Sequence, residues 1–295
     1  MTAIAPVETT ALDLGSSRGR IWKQVRTNRL GMAGGIMLAV VVLAGIAAPL
    51  IAPHDPTATH FDLPFQVPFT VGFGFGTDDL GRDILSRTVY GIRVSLVVGV
   101  LSVLLAVVVG TPLGLLAGYW RWLDGVISRL TDVALAFPFL IIAVGLAAIS
   151  GPSLANAVIA IGVSHVPAMI RIVRGETLRI TSADFVTSAR TLDAGGARII
   201  AQHVLPNCVS AIIVQATVIM PVAVIGEALL SFLGLGIQPP TPSLGIMLSD
   251  AQQYLGQAPW AAVVPGVAIA VICLGFNLFG DALRDALDPT ASDRK

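Results

Sequence analysis

The residues in this 295-residue chain best suited to chemistry are four histidines, two cysteines and an acidic cluster at Asp78, Asp79 and Asp83. His54, His60, His165 and His203 contain no pair spaced by three or four residues, so a metal centre is not supported. The acidic cluster lacks the D-x-[DN]-x-[DN]-G frame of a calcium loop, and Arg82 and Arg87 stand close enough in sequence to neutralise it. A local salt-bridged turn is expected there. GxSxG is absent, and no Ser, His and acid set can be argued from the sequence. Cys208 and Cys273 fall at the edge and inside of apolar runs, where they serve as small fillers. A phosphate-binding loop needs GxxxxGK[ST], whereas the two lysines, Lys23 and Lys295, lie outside any glycine-rich setting. The chain therefore does not bind ATP by that route.

The elements that hold these residues are set by composition. Hydrophobic residues make up 55% and charged residues 12%, with a mean hydropathy of +0.82. Soluble domains carry about 25% charged residues, so this chain belongs in a bilayer. A net charge of zero and a pI near 6.9 give no general attraction to nucleic acid. Six apolar runs approach the ~20 residues needed to cross a hydrocarbon core: about 30–52, 95–118, 130–149, 154–171, 208–229 and 260–280. All six are expected as helices, because lipid offers backbone groups no other partner. The fourth is the shortest and holds His165 and Pro167. Pro112, Pro138, Pro221 and Pro265 fall inside runs, where they can kink helices. The first long run begins only at Leu30, so no cleaved signal is expected; the basic segment before it reads as an interfacial helix.

Basic residues near span ends are retained on the cytoplasmic side. With the amino terminus inside, only Arg82, Arg87 and Arg93 of the 18 Lys+Arg fall outside. Both termini and the polar interruption at 184–207 are then expected to face the cytoplasm.

That interruption, DFVTSARTLDAGGARIIAQHVLPN, reads as two short helices. Thr181 and Asp184 form a candidate capping box that starts a helix near Ser182, and Gly195 with Gly196 offers a stop. Phe185, Val186, Ala189 and Leu192 are expected on one face. A second segment, Ala197 to Val204, carries Ile199, Ile200 and Val204 before Pro206 breaks it. The result is a compact docking knob. Among charges in or beside spans, Arg129 and Asp132 are expected to pair with each other. Glu227 lies near the outer end of the fifth run, where it could meet a cationic group such as a peptide amino terminus, or instead snorkel outward or bond to a neighbouring helix; His165 is the other pathway candidate, nearest the midplane.

The spacing of 184–207 resembles the EAA loop of ABC importer permeases, which reads E-A-A, three residues, G, nine residues, then I-x-L-P. The corresponding residues are Thr187, Ser188 and Ala189, then Asp193, then His203, Val204, Leu205 and Pro206. Thr187 stands in place of the glutamate and Asp193 in place of the glycine. GTDDLGRDILSRTVYGIRVSL, LSFLGLGIQPPTPSLG and FNLFGDALRDALDP resemble the dipeptide and oligopeptide permease family in its six-span member.

The resemblance implies an all-α integral membrane protein of the bacterial inner membrane, with six transmembrane helices in the type I ABC importer (MetI-like) fold. It implies a second homologous permease, two ABC ATPase subunits that bind the ATP and Mg, and an extracytoplasmic peptide-binding protein. The implied coupling residues are Asp184, Phe185, Thr187, Ser188, Ala189, Arg190, Leu192, Asp193, Gly195, His203, Leu205 and Pro206. The expected division is a cytoplasmic tail at 1–29, a first span and outer loop at 30–95, a five-span permease core at 96–290 containing the coupling loop at about 175–207, and a tail at 291–295. Peptides are the implied cargo, with nickel chelates or glutathione as alternatives within the same architecture. An ion-coupled secondary transporter is the competing class, and would need titratable groups near the midplane and interrupted helices.

Overall fold

The computed structural model describes residues 28–70 and 72–287. The interfacial helix, the tails and the last residues of the FNLFGDALRDALDP motif lie outside the described residues. The remainder is helical apart from turns and isolated bridges in the loop after the first span.

Helix α1 (Arg29–Ile46) starts where the Asn28 side chain accepts from the backbone N–H groups of Leu30 and Gly31 at 3.1 and 3.2 Å. A short α2 (Ala48–Ile51) extends it towards a loop that runs to Asp83. The Asp83 carboxylate caps α3 (Ile84–Tyr119) by accepting from the Ser86 N–H at 3.0 Å. The second span therefore begins inside the GTDDLGRDILSR motif, well before the apolar run at 95, and the expected division at 95/96 falls within one continuous helix.

The third run departs most from expectation. In place of one straight span at 130–149, α4 (Arg121–Ala136) and α5 (Phe139–Ser150) meet at a 79° bend. Phe137 precedes a proline and is pushed to extended backbone, φ −89° and ψ 119°, which ends α4. Among the described residues five helices are long and apolar enough to cross a membrane, or six where the bent pair counts as one broken span. The fourth span, α6 (Leu154–Thr181), runs ten residues past the apolar run that announced it, through His165 and Pro167 without a break. The remaining elements are α7 (Asp184–Thr191), α8 (Gly196–Ile199), a π-helical turn (Ile200–Val204), α9 (Leu205–Phe232), α10 (Leu244–Gln252) and α11 (Trp260–Leu287).

The most extensive seam joins α3 to α6. Cβ atoms built at Gly110, Gly114 and Gly118 would lie 2.7, 2.7 and 2.5 Å from the Cβ atoms of Met169, Val173 and Thr177. Small residues every fourth position let the two backbones touch, which is how helices associate where lipid supplies no hydrophobic drive. Along the same seam a buried cluster of Leu115, Met169, Val173 and Ile180 continues into Val186, Ile199 and Val204 of the polar interruption. Elsewhere apolar side chains such as Val100, Leu104, Val108, Val163 and Val222 are exposed along the spans, the surface that a lipid or another membrane helix must cover.

The expected Arg129–Asp132 pair does not form. Asp132 bonds instead to Arg171 of α6 at 3.1 Å, and Asp124 is held by the Arg174 guanidinium. Both acidic side chains on α4 are drawn to cations on the neighbouring helix.

Candidate functional site: the polar interruption at 184–207

The interruption is anchored at its base and bare at its tip. Its first limb, α7, begins at Asp184 behind Ala183, which gives no side-chain cap. The expected capping box is not made, because Thr181 still belongs to α6 and its hydroxyl donates to the Leu178 carbonyl. Asp184 in the first turn and Arg190 in the last complement the helix dipole.

Nor do the glycines stop this helix. The Asp193 N–H bonds to the Arg190 carbonyl at 3.0 Å and the Ala194 N–H to the Ala189 carbonyl at 3.2 Å, with Asp193 at φ 59°. This is the Schellman closure, and Asp193 holds the left-handed position usually taken by glycine. Aspartate is among the few side chains that tolerate it. The departure from the EAA pattern at this position therefore keeps the turn. Gly195 instead precedes α8 with φ −60°. Gly196 packs close against Tyr119, whose ring a Cβ there would meet at 3.0 Å and would have to displace. Arg190 reaches the other way, its guanidinium 5.4 Å from the centroid of Tyr119.

The second limb is not broken by Pro206. A π-helical turn at Ile200–Val204 carries the chain from α8 into α9, and Pro206 follows directly after it without ending the helix. The second limb is thus the start of the fifth span rather than a separate unit.

The expected single apolar face divides in two. Val186 is buried with Ile199 and Val204, and Ala189 and Leu205 are half-buried. Phe185 and Leu192 point away, 48% and 83% exposed. The Phe185 ring lies 6.4 Å from the ring of His203, so the two limbs present adjoining groups at one surface. Thr187 and Ser188 are exposed, and the Ser188 hydroxyl donates to the Asp184 carbonyl at 3.0 Å, within its own helix. No hydroxyl or carboxyl here is arranged to attack a bond. What the surface presents is an aromatic, an aliphatic and an imidazole above a buried base of Val186, Ile199 and Val204.

The two pathway candidates lie elsewhere. Glu227 sits about 33 Å along α9 from Leu205. It is fully buried, and accepts from Ser95 at 2.6 Å, Ser231 at 2.9 Å and Ser243 at 2.9 Å. Ser95 and Ser243 lie on neighbouring elements and Ser231 one turn on along α9 itself. His165 is half-buried, with Nδ1 2.7 Å from the Ile161 carbonyl oxygen one turn earlier on its own helix.

At the same end as Glu227, Arg82 bonds to Asp78 at 2.6 Å and to Asp79 at 3.4 Å, the expected salt-bridged turn. Sequence reasoning missed its fifth member: Asp250 on α10 reaches Arg82 at 3.1 Å and Arg87 at 3.7 Å. Burial pushes the Asp250 carboxyl above its ordinary range, against the pull of both guanidiniums. A separation of 168 residues carries no local signal. The glycine seam was likewise unread, although G-x-x-x-G-x-x-x-G from Gly110 to Gly118 announces it.

Comparison with known proteins places these features in context. The profile of the family described as "Binding-protein-dependent transport system inner membrane component" matches residues 110–293. A second, "N-terminal TM domain of oligopeptide transport permease C", matches residues 16–68. The chain is 45% identical to the dipeptide transport system permease protein DppC of Alkalihalophilus pseudofirmus, over 91% of this chain and 88% of that one. It is 42% identical to the glutathione transport system permease protein GsiD of an Escherichia coli strain, over 91% of this chain and 89% of that protein. Among solved structures, the inward-facing MetNI methionine ABC transporter aligns with a TM-score of 0.58 at 21% identity, covering 68% of this chain and 96% of the other.

Proposed function

Because this chain belongs to the family of binding-protein-dependent transport system inner membrane components, we propose that it is the permease subunit of an ATP-driven importer whose cargo is di- or oligopeptides. The names of relatives at 40–45% identity support the peptide cargo. The glutathione permease at 42% keeps that cargo as the second reading. Family membership sets aside the ion-coupled carrier.

In this reading a second permease completes the pathway and two ATPase subunits bind ATP and Mg. An extracytoplasmic peptide-binding protein delivers cargo. The protein is a multi-pass component of the bacterial inner membrane, with its amino terminus, its carboxyl terminus and the 184–207 interruption on the cytoplasmic side, as the basic residues favour.

The observation that carries the proposal is the contrast within one loop. Phe185 and Leu192 are exposed, with half-buried His203 beside Phe185, while Val186, Ile199 and Val204 behind them pack into the α3–α6 core. A push on the outer groups passes into the spans as rigid-body motion instead of being absorbed by the loop.

Reconstitution of the chain with its partner subunits tests this. Phe185→Glu and Leu192→Glu alter exposed groups and leave the core intact, so both variants should assemble in the membrane. Peptide uptake should fall at least tenfold while basal ATP hydrolysis persists. Normal uptake by both variants would remove the coupling role.

A further inference from the structure

A groove between the first and second spans is not used by any of the machinery above. Helices α1 and α3 come together near Gly45, where a Cβ would lie 3.4 Å from the Arg93 Cα, and the groove opens beside that contact. The opening has a volume of ≈ 420 Å³. Its walls include Val42 and Ile46 on one side and Val97 and Leu101 on the other, with Met220 and Phe276 behind.

One charge stands in this apolar setting. Arg93 lines the groove and is exposed, and its guanidinium has no hydrogen bond or ion pair among the described residues. It lies about 14 Å along α3 from Ile84, at the end of the bundle that carries the 52–83 loop. A guanidinium at that depth can extend along its aliphatic stem to the headgroup layer, but an unpaired cation inside a span is expensive.

We propose that the groove binds one anionic glycerophospholipid, its phosphate on Arg93 and one acyl chain along Val97 and Leu101. The charge selects the headgroup, because a guanidinium can bind two phosphate oxygens at once. The size selects the tail: one turn of helix with its side chains, about 10 Å across and 5.4 Å high, already displaces about 400 Å³. A second protein helix could sink little more than one turn's volume between these walls, whereas an acyl chain fits along the slot. Tail burial gives no net hydrophobic gain over bulk lipid, so selectivity must rest on Arg93.

The full-length chain, purified with whatever subunits accompany it, is incubated with equimolar phosphatidylglycerol and phosphatidylcholine. Retained lipid is then counted by native mass spectrometry. Wild type should retain one phosphatidylglycerol, favoured about tenfold, the scale of one charge-assisted contact. Arg93→Gln should abolish the preference, Arg93→Lys should restore part of it, and Val97→Trp should expel the lipid with Arg93 still in place. Melting temperatures equal to wild type show that each variant is folded, and either Arg93→Gln or Val97→Trp decides the matter alone. Equal retention of both lipids by wild type overturns the proposal, as does wild-type retention by a folded variant. So does a Val97→Cys chain that crosslinks to a second polypeptide, because the groove then belongs to a protein neighbour.

Discussion

Ser95 on the second span donates its hydroxyl to Glu227 on the fifth across 2.6 Å, and Ser231 and Ser243 approach the same carboxylate from two other directions. One buried side chain thereby ties α3, α9 and the segment leading into α10. A lone carboxylate in an apolar interior is unstable; three hydroxyl donors make it a clamp.

Glu227→Ala should therefore be severe. It strands three buried hydroxyls, at roughly 1–3 kcal/mol for each one left unmatched, and the detergent-solubilised protein should melt several degrees lower. Glu227→Gln keeps an acceptor and should lose far less. A change in peptide affinity with Glu227→Gln at unchanged melting temperature would show instead that Glu227 meets cargo.

The left-handed turn at Asp193 makes a second prediction. Asp193→Gly removes steric cost at φ 59° and should preserve uptake, whereas Asp193→Val places a β-branched residue there at a cost of about 1–2 kcal/mol. Hydrogen exchange at the Asp193 and Ala194 amides provides the readout: faster in Asp193→Val, unchanged or slower in Asp193→Gly.

The α3–α6 seam leaves no room for a side chain. Gly114→Leu forces atoms into Val173, whose Cβ is 2.7 Å from the site of the new Cβ, and overpacking of this kind costs roughly 1–3 kcal/mol. Val173→Ala in the same chain should recover part of that loss. A double-mutant cycle with no coupling would place the seam elsewhere.

The two ion pairs between α4 and α6 should behave differently. Arg171 and Asp132 are 61% and 69% exposed, so Asp132→Asn should change stability by less than about 0.5 kcal/mol. Asp124 is less accessible and receives two guanidinium bonds and the Ser128 hydroxyl, so Asp124→Asn should cost more. Equal melting temperatures for the two variants would contradict this order.

Local signals carried much of the fold. Long apolar runs located the spans, and Arg82 beside Asp78 and Asp79 announced the salt-bridged turn. The stretch from Asp184 to Asn207 announced a helical interruption between the fourth and fifth apolar runs. What went unread depended on the third dimension. Thr181 and Asp184 have the spacing of a capping box, but α6 continues through Thr181 and takes its hydroxyl. Arg129 sits three residues from Asp132, yet Arg171 wins from another helix. Phe185 and Val186 are adjacent and both apolar, and only packing decides that one is a surface and the other a core.

The backbone contact through Gly110, Gly114 and Gly118 also limits how this molecule can change shape. With Met169, Val173 and Thr177 lodged in three successive notches, sliding one helix past the other would drive each of them over a ridge. The second and fourth spans must travel as a single strut. Whatever door opens for cargo has to hinge around that strut, and the elbow at Pro138 is where the chain has already given up the straightness that would resist it.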